Sequence, residues 1–252
     1  MEKLLDEIES YWSTRTEGYS EVNHKELAGT QKNAWLKVLT SQFPDKPKEE
    51  IRILDIGTGP GFFPVILAEA GYHVDAVDYT EGMLEKAKEN AGDLCRNIRF
   101  LRMDAQKLDF EDNTFDVVIS RNLTWNLEHP DVAYREWVRV LKVGGRLLNF
   151  DANWYGYLYE EEQRKAYEND RKNVENNSLD DHYLCTDIER MERIALQVPL
   201  SKISRPQWDV KTLREAGLLG IRTDTEIWKT VWSEEERLNY QSTPMFMVTG
   251  VK

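Results

Sequence analysis

The sequence predicts an α/β fold built on a doubly wound, mostly parallel sheet of seven strands, and three observations support this prediction. First, residues 51–71 have the pattern of a short apolar strand, a glycine-rich turn and a helix. Second, strand and helix patterns alternate up to residue 151, as in a parallel sheet that helices cover on both faces. Third, a last strand at 244–250 follows without a helical crossover, so we expect it to pair antiparallel.

Composition limits the partners that the protein can have. The chain of 252 residues carries a formal net charge of -12, and no cluster of Lys and Arg alternates with aromatic residues, so no nucleic-acid partner is expected. Cys95 and Cys185 lack metal-binding spacing, which predicts two buried thiols, no metal site and a cytoplasmic location. No apolar window approaches the roughly 20 residues of a membrane span, so no membrane association is expected. The sequence leaves the oligomeric state open.

A helical cap over residues 1–46 is predicted ahead of the first strand. Its apolar side chains form two stripes, one around Tyr11 and Trp12 and the other around Trp35. Gly18 lies between the stripes, and we expect the chain to bend there because glycine interrupts helices. The cap is therefore interpreted as two helices.

Residues 47–151 form the larger part of the predicted sheet. The opening strand ends in a turn with glycine at alternate positions, Gly57, Gly59 and Gly61, which leaves the backbone bare for the close approach of a ligand. The next helix directs its positive N-terminus to the same place. Further strands are predicted at 72–77, 98–103, 115–120 and 146–150, and helices at 81–90 and 132–141.

The alternation stops at residues 152–205, a polar and aromatic-rich stretch that we interpret as an inserted helical lid. Residues 206–252 return to the sheet. There Asp209 is expected to cap a helix over 210–216. Strands are expected at 221–232 and 244–250.

Acidic residues mark the ends of the predicted strands, namely Asp55, Asp78, Asp104 and Asp151. Ligands of open parallel sheets bind beyond the carboxyl ends of the strands, so we expect these acids at one site. Asp78 follows the glycine turn by about twenty residues, the separation at which an acid accepts hydrogen bonds from ribose hydroxyls. Asp104 is placed to accept one from the exocyclic amine of adenine. The strand ends therefore predict a nucleoside site.

These motifs resemble those of class I S-adenosylmethionine-dependent methyltransferases, in particular the small-molecule methyltransferases with an N-terminal helical cap. The resemblance is strong over residues 50–151 and rests on the glycine motif, on Val77-Asp78 and Met103-Asp104, and on Gly144-Gly145 before the fifth strand. It implies a Rossmann-like fold and S-adenosylmethionine as the cofactor. The predicted cofactor-binding residues are Arg15, Tyr19, Asp55, Gly57, Thr58, Gly59, Gly61, Asp78, Tyr79, Met83, Asp104, Ala105, Arg121 and Asn122.

The resemblance also implies a role for each part of this set. The glycine turn would lie beneath the methionine moiety of the cofactor, with Asp55 supporting its amine. Asp78 would bind the ribose and Asp104 the adenine. Arg15 and Tyr19 of the cap would close over the methionine carboxylate.

The acceptor is expected between the cap and the lid, and the resemblance supplies nothing for residues 152–205. Aromatic rings there, including Tyr183, can line a pocket and hold a cationic amine, or they can be core. Arg205 stands beside Trp208 and can bind an acceptor carboxylate or lie in a surface loop. The predicted acceptor contacts are Trp12, Trp125, Asp151, Trp154 and Arg205. Asp151, His24 and His182 are candidate bases, and the sequence identifies no catalytic residue.

The predicted function is methyl transfer to an N, O, S or C nucleophile of a small molecule by in-line displacement. One alternative is a protein that binds S-adenosylmethionine without catalysis. Another is a nicotinamide-dependent oxidoreductase. Against the latter, the turn has the pattern GxGxG with Asp55 upstream, where a pyrophosphate would meet negative charge.

Overall fold

Seven strands run through the part of the chain that the computed structural model describes, residues 4–182 and 186–252. They are β1 Arg52–Ile56, β2 His73–Asp78, β3 Ile98–Arg102, β4 Phe115–Arg121, β5 Leu141–Asp151, β6 Leu219–Asp224 and β7 Phe246–Val251. These strands form one sheet in the order β3-β2-β1-β4-β5-β7-β6. Strand β7 is antiparallel to both of its neighbours, and the other neighbouring pairs are parallel. The predicted α/β fold with an antiparallel last strand is therefore confirmed.

Helices cover both faces of this sheet. They are α1 Leu4–Ala28, α2 Gln31–Ser41, α3 Phe62–Glu69, α4 Glu81–Ala91, α5 Pro130–Val140, α6 Glu161–Asn176, α7 Ile188–Ala195, α8 Gln207–Glu215, α9 Trp228–Val231 and α10 Glu234–Asn239. On one face, Trp35 of α2 packs on Phe63 and Phe150. On the other face, Trp137 of α5 and Leu213 of α8 belong to a second apolar layer. The strand order reverses between β1 and β4, which opens a crevice at their carboxyl ends.

The turn after β1 has the backbone conformation that its glycines predict. Gly57, Gly59 and Gly61 have φ angles of 71°, 52° and 92°, in the left-handed region that side chains rarely adopt. A Cβ atom on Gly57 would also lie 2.7 Å from Cδ2 of Leu123. A side chain at Gly57 would therefore displace the loop after β4 as well as strain the turn.

Helix α1 runs without a break from Leu4 to Ala28, so the predicted bend at Gly18 is wrong. The chain turns later, at residues 29–30. A glycine in a helix interior costs only about 1 kcal/mol relative to alanine. Burial of Ile8, Tyr11 and Asn23 along α1 offsets that cost, because tertiary packing outweighs local propensity.

Residues 152–205 contribute α6, α7 and two short 3-10 turns to the described chain and no strand. Tyr155 and Tyr157 of this segment pack with Met191 of α7 and with Tyr11 of α1 in one apolar cluster. The segment thus faces the N-terminal helix across an aromatic interface. Tyr183 and Cys185 lie outside the described residues.

Two predictions for residues 206–252 are wrong. Asp209 lies in the first turn of α8, and its carboxylate accepts hydrogen bonds from Arg205 and Tyr134 instead of capping the helix. The strand expected at 221–232 ends at Asp224, and residues 228–231 form α9. Ile227 and Val231 both enter the core at helical spacing, which favours a helical turn over strand alternation.

The surface adds three findings. Cys95 is exposed, so the prediction of a buried thiol is wrong there; the residue lies in a 3-10 turn in which no residue is fully buried. Within the described ranges, no helix has the length and apolar character needed to cross a bilayer. The same ranges contain no group of three or more His, Cys, Asp or Glu side chains placed to hold a metal ion.

Candidate functional site

A cleft of about 1060 Å³, open to solvent, lies over the carboxyl ends of β1, β2 and β4. Helix α1 forms its opposite wall through Ile8, Trp12, Tyr19 and Asn23. The spacing of these four side chains puts them on one stripe of an unbroken helix. Most of the predicted cofactor contacts line the cleft: Tyr19, Asp55, Gly57, Thr58, Gly59, Asp78, Tyr79, Met83, Asp104, Ala105, Arg121 and Asn122.

Asp78, at the end of β2, faces the glycine turn. Its Oδ2 accepts a hydrogen bond from the Gly59 amide at 2.9 Å, and its Oδ1 accepts one from the Thr80 amide at 2.9 Å. Burial raises the pKa of the Asp78 carboxyl above its usual value. Each oxygen retains a lone pair, so the two oxygens can together accept hydrogen bonds from neighbouring hydroxyls of a ligand.

Asp55 lies in β1 beneath the turn and is only 2% exposed. Burial raises the pKa of its carboxyl to about 7, although the positive charge of Arg121 acts in the opposite direction. A cationic ligand group would supply the countercharge that the surroundings only partly provide. The position therefore suits an ammonium group and disfavours a phosphate.

Asp104 follows β3 at the far end of the cleft. Its Oδ1 accepts hydrogen bonds from the amide of Gln106 at 2.8 Å and from its Nε2 at 3.1 Å. Met83 and Ala105 line the cleft beside it and are both buried. An acid next to apolar surface is suited to a flat heterocycle that carries an amine.

Three buried amide oxygens in the cleft have no hydrogen-bond partner among the described residues. They are Oδ1 of Asn23, Asn122 and Asn126. An unpaired buried acceptor costs about 1–3 kcal/mol. Their presence in one cleft indicates a ligand rich in N–H and O–H donors.

Two predicted cofactor contacts have other roles. Gly61 does not line the cleft, and a Cβ atom there would lie 3.0 Å from Cβ of Ala87, so this glycine permits the close packing of α3 against α4. Arg121 lines the cleft, but Nη1 and Nη2 donate to the two carboxylate oxygens of Glu26 at 2.7 and 3.0 Å. Its charge is therefore compensated, and the pair anchors α1 to the end of β4.

A second cavity lies between α1 and the segment 152–205. Most of its lining side chains are aromatic: Tyr11, Trp12, Tyr19, Trp125, Trp154, Tyr155 and Tyr240. Trp125 stacks on Tyr155 with centroids 5.0 Å apart, and Trp154 meets Tyr240 edge-on at 5.3 Å. Such a wall favours a planar, largely apolar ligand.

The cleft and the second cavity share Trp12, Tyr19 and Asn122. Asn122 has a φ angle of 57°, a conformation that asparagine tolerates better than most residues. Its amide donates to the carbonyl of Phe150 at 2.8 Å, and its carbonyl accepts from Nε1 of Trp125 at 3.0 Å. The loop after β4 is thus fixed between the two cavities, and ligands of both can meet there.

Arg15 lines the second cavity and not the cleft, so of the other predicted cofactor contacts it shares a cavity with Tyr19 and Asn122. Trp12, Trp125 and Trp154 line the second cavity as predicted for acceptor contacts.

Asp151 and Arg205 line neither cavity, in contrast to their predicted contact with an acceptor. Both are fully buried, and Nη1 of Arg205 donates to Oδ2 of Asp151 at 2.7 Å. Asp151 also accepts hydrogen bonds from the amide of Trp125 at 3.0 Å and from Nε1 of Trp154 at 3.1 Å. The charges of the pair are already compensated by each other and by Asp209. The pair therefore has a structural role, in which Asp151 holds Trp125 and Trp154 in the wall of the second cavity.

His182 and Tyr240 lie side by side in the second cavity. Nδ1 of His182 is 2.9 Å from the Tyr240 hydroxyl, and Nε2 is 3.0 Å from Oε1 of Glu235. When Glu235 accepts from Nε2–H, the neutral ring presents Nδ1 as an acceptor to the tyrosine hydroxyl. This arrangement can remove a proton from a group in the cavity. His24, another candidate base, contacts Oδ1 of Asn90 at the surface instead.

Sequence reasoning missed Asn23, Asn126, Glu235 and Tyr240. Asn23 lies four residues after Tyr19, and the helical period would have found it had α1 been read as one helix. No sequence motif marks the other three, which reach the site only through the folded arrangement.

Residues 54–149 match the family model described as a methyltransferase domain. This range runs from β1 to β5 and includes Asp55, the glycine turn, Asp78, Asp104 and Asn122.

Curated relatives match part of the chain. A demethylmenaquinone methyltransferase of Renibacterium salmoninarum is 31% identical over 148 residues, which are 59% of this chain and 60% of that protein. A demethylmenaquinone methyltransferase of Clavibacter sepedonicus is 41% identical over 98 residues, which are 38% of this chain and 39% of that protein. The chain thus matches less than two thirds of the length of these relatives.

Among solved structures, phosphoethanolamine N-methyltransferase 2 of Haemonchus contortus in complex with S-adenosyl-L-methionine is similar in fold. The TM-score is 0.62 at 18% identity, and the match covers 87% of this chain and 52% of that chain. The likeness supports the Rossmann-like arrangement of strands and helices.

Proposed function

We propose that the chain is a class I S-adenosylmethionine-dependent methyltransferase and that it methylates a small molecule. The match of residues 54–149 to the methyltransferase-domain model and the 31% identity to a methyltransferase of Renibacterium salmoninarum support this proposal. S-adenosylmethionine binds in the cleft and the acceptor in the second cavity. The observation that carries the proposal is the shared wall of Trp12, Tyr19 and Asn122, which brings an acid-lined cleft and an aromatic cavity together.

The cleft fits each part of this cofactor. Asp55 is buried beneath the turn, where an ammonium group supplies its missing countercharge. Asp78 accepts hydrogen bonds from the ribose hydroxyls with the lone pairs that Gly59 and Thr80 leave free. Asp104 accepts one from the adenine amine. The unpaired oxygen of Asn122 adds an acceptor near the methionine end.

The protein contributes alignment and the exclusion of water to the transfer. The cofactor would supply a methyl group bound to a sulfonium sulfur. The sulfur is the leaving group, and it needs no protonation by an acid. Trp12 and Tyr19 lie edge to face with centroids 5.7 Å apart in α1 and close the junction from above. Asn122 closes it from the side of β4. A nucleophile held in the second cavity would thereby reach the cleft across the wall of Trp12, Tyr19 and Asn122.

A hydroxyl or amine acceptor must also lose a proton. The Tyr240 hydroxyl lines the cavity and can accept that proton while it passes its own to Nδ1 of His182. Glu235, 3.0 Å from Nε2, stabilises the imidazolium that results. We therefore assign His182 and Tyr240 as the base that serves a protonated acceptor.

The names of the relatives support a planar acceptor. They are demethylmenaquinone methyltransferases and a ubiquinone/menaquinone biosynthesis C-methyltransferase of Pseudomonas entomophila. The aromatic wall of the second cavity supports the same class of molecule. Most residues of this wall lie outside 54–149, the range that matches the family model. The identity of the acceptor therefore depends on residues of the cap and of the segment 152–240. The low cysteine content supports the cytoplasm as its location.

Incubation of the full chain with methyl-labelled S-adenosylmethionine and a metabolite extract, followed by mass spectrometry, tests the proposal. We expect a labelled small molecule with the wild type and with Asp75→Ala, a control on β2 outside the cleft, and none with Asp78→Ala. Cofactor binding without any labelled product would favour a binding protein without catalysis. Binding of nicotinamide nucleotides in place of S-adenosylmethionine would overturn the proposal in favour of an oxidoreductase.

A further inference from the structure

We propose that the second cavity selects a planar aromatic acid as the acceptor and that Arg15 binds its anionic group. This inference rests on the proposed function, because it assigns the substrate class of the same site. It goes further in committing to a charge, which neither the fold nor the names of the relatives specify.

Charge is distributed unevenly around the second cavity. Arg15 is the only permanently charged side chain among the described residues that line it, and no carboxylate does so. The chain as a whole has a formal net charge of -12. A cavity whose described lining residues include one cation and no carboxylate therefore contrasts with the rest of the protein. It would attract an anion that most of the surface repels.

Arg15 also differs from the other arginines of the protein interior. Arg121 is paired with Glu26, and Arg205 is paired with Asp151. Within residues 4–182 and 186–252, Arg15 is half-buried and makes no hydrogen bond or ion pair with another side chain or with the backbone. A guanidinium held partly out of water without a partner is a binding group for a planar carboxylate.

The aromatic wall and Arg15 together disfavour a cationic ligand. Aromatic faces alone would favour a cationic amine, which is the alternative that the sequence suggests. Arg15 repels such a ligand, and no carboxylate of the wall compensates. Trp125 and Tyr155 instead offer stacked rings to a flat molecule. The combination therefore favours an aromatic ring that carries a negative charge.

The position of Arg15 also orients the acceptor. Arg15 and Tyr19 lie four residues apart on α1, so their Cβ atoms are about 5–6 Å apart on one face of the helix. Tyr19 belongs to the wall shared with the cleft, and Arg15 does not. An acid held by Arg15 therefore directs the opposite edge of its ring towards the shared wall, where the methyl group arrives.

Binding can be measured without knowing the natural acceptor. Tryptophans 12, 125 and 154 line the cavity, so a bound aromatic compound changes their fluorescence. The full chain is titrated with 4-hydroxybenzoate, 4-hydroxycinnamate and hydroxynaphthoate, and with the neutral amide of each, in the presence and absence of S-adenosylhomocysteine. The variants are Arg15→Gln, Arg15→Lys and the control Arg193→Gln, which removes the same charge from an exposed site on α7.

We expect at least one acid to bind the wild type and Arg193→Gln about tenfold or more tightly than its amide, as for a charge-assisted hydrogen bond. Arg15→Gln should remove this preference, and Arg15→Lys should retain part of it. Equal binding of acids and amides, binding of neither, or a preference that persists in Arg15→Gln would overturn the inference. A chain that binds the acids but not S-adenosylhomocysteine would contradict the proposed function and leave the anion site supported.

Discussion

Replacement of Asp55 by asparagine should stabilise the ligand-free protein while it weakens cofactor binding. Burial raises the pKa of the Asp55 carboxyl from 3.8 to about 7. Below the lower value the group is protonated in both the folded and the unfolded chain. Between the two values only the unfolded chain ionises, so the free energy of unfolding falls as the pH rises. This loss of unfolding free energy is complete at pH values above the pKa of Asp55 in the folded protein. It amounts to up to about 4 kcal/mol, at 1.36 kcal/mol per pKa unit.

Urea unfolding of both proteins without ligand, from pH 4 to pH 8, measures this difference. Asp55→Asn lacks the ionisable group, so its advantage in unfolding free energy should be near zero at pH 4 and largest at pH 8. Asp93→Asn, at an exposed position after α4, serves as the control. It should remain within about 0.5 kcal/mol of the wild type throughout, as is usual for surface substitutions.

Cofactor affinity should change in the opposite direction. The ionised carboxylate binds the ammonium group, so the affinity of the wild type should increase as the pH rises through about 7. Loss of a hydrogen bond to a charged group, about 1.5–3 kcal/mol, should weaken binding by Asp55→Asn roughly 10- to 150-fold at pH 7.5, as measured by calorimetry. A stability difference that does not vary with pH, or a variant that binds as tightly as the wild type, would refute the reasoning.

Three further substitutions test the turn, the buried ion pair and the base. Gly57→Ala should lower the melting temperature and abolish cofactor binding in calorimetry, because its Cβ would strain the turn and press on Leu123; unchanged binding would contradict the account of the turn. Arg205→Met should cost about 3–5 kcal/mol of unfolding free energy in urea, because it leaves two carboxylates buried without a countercharge; a neutral effect would show that these groups ionise little. Tyr240→Phe should lower kcat for a hydroxyl acceptor about 10²- to 10⁴-fold with the cofactor Kd unchanged, whereas an unaltered kcat would exclude the proton path to His182.

Local patterns carried enough information to predict the sheet and to bring most of the predicted cofactor contacts to one cleft. Apolar strands, alternate glycines and acids at strand ends are features of short segments, and the parallel fold brings those strand ends together without further information. Asp78 could thus be placed from its position at the end of β2, and Asp104 from its position after β3. Gly61 is one exception, because a glycine that permits helix packing and one that lines a ligand look the same in sequence. Arg121 is another, because its partner Glu26 lies 95 residues away in the chain.

The second cavity could not be predicted in the same way, because the charged residues near it pair over long distances in the sequence. Arg205 and Arg15 are both basic residues beside aromatics, and the sequence assigns the acceptor contact to Arg205. The fold places Arg205 against Asp151, 54 residues away in the chain, and leaves Arg15 in the cavity. Which cation is buried in an ion pair and which remains available is decided only by tertiary contacts.

The expected bend at Gly18 also prevented the prediction of the α1 wall of the cleft. A bend at Gly18 assigns Ile8 to one helix and Tyr19 and Asn23 to the next, and the stripe that faces the cleft is lost. Tyr240 and Glu235 come from the C-terminal part of the chain and meet His182 only after the sheet is complete.

The central claim is that the acid-lined cleft binds S-adenosylmethionine, and calorimetric titration of the full chain at pH 8 tests it most directly. We expect saturable binding by the wild type and by Asp75→Ala, and a loss of binding by Asp78→Ala, whose side chain can no longer accept the ribose hydroxyls. The absence of binding by the wild type, or binding by a folded Asp78→Ala that equals the wild type, would contradict the claim.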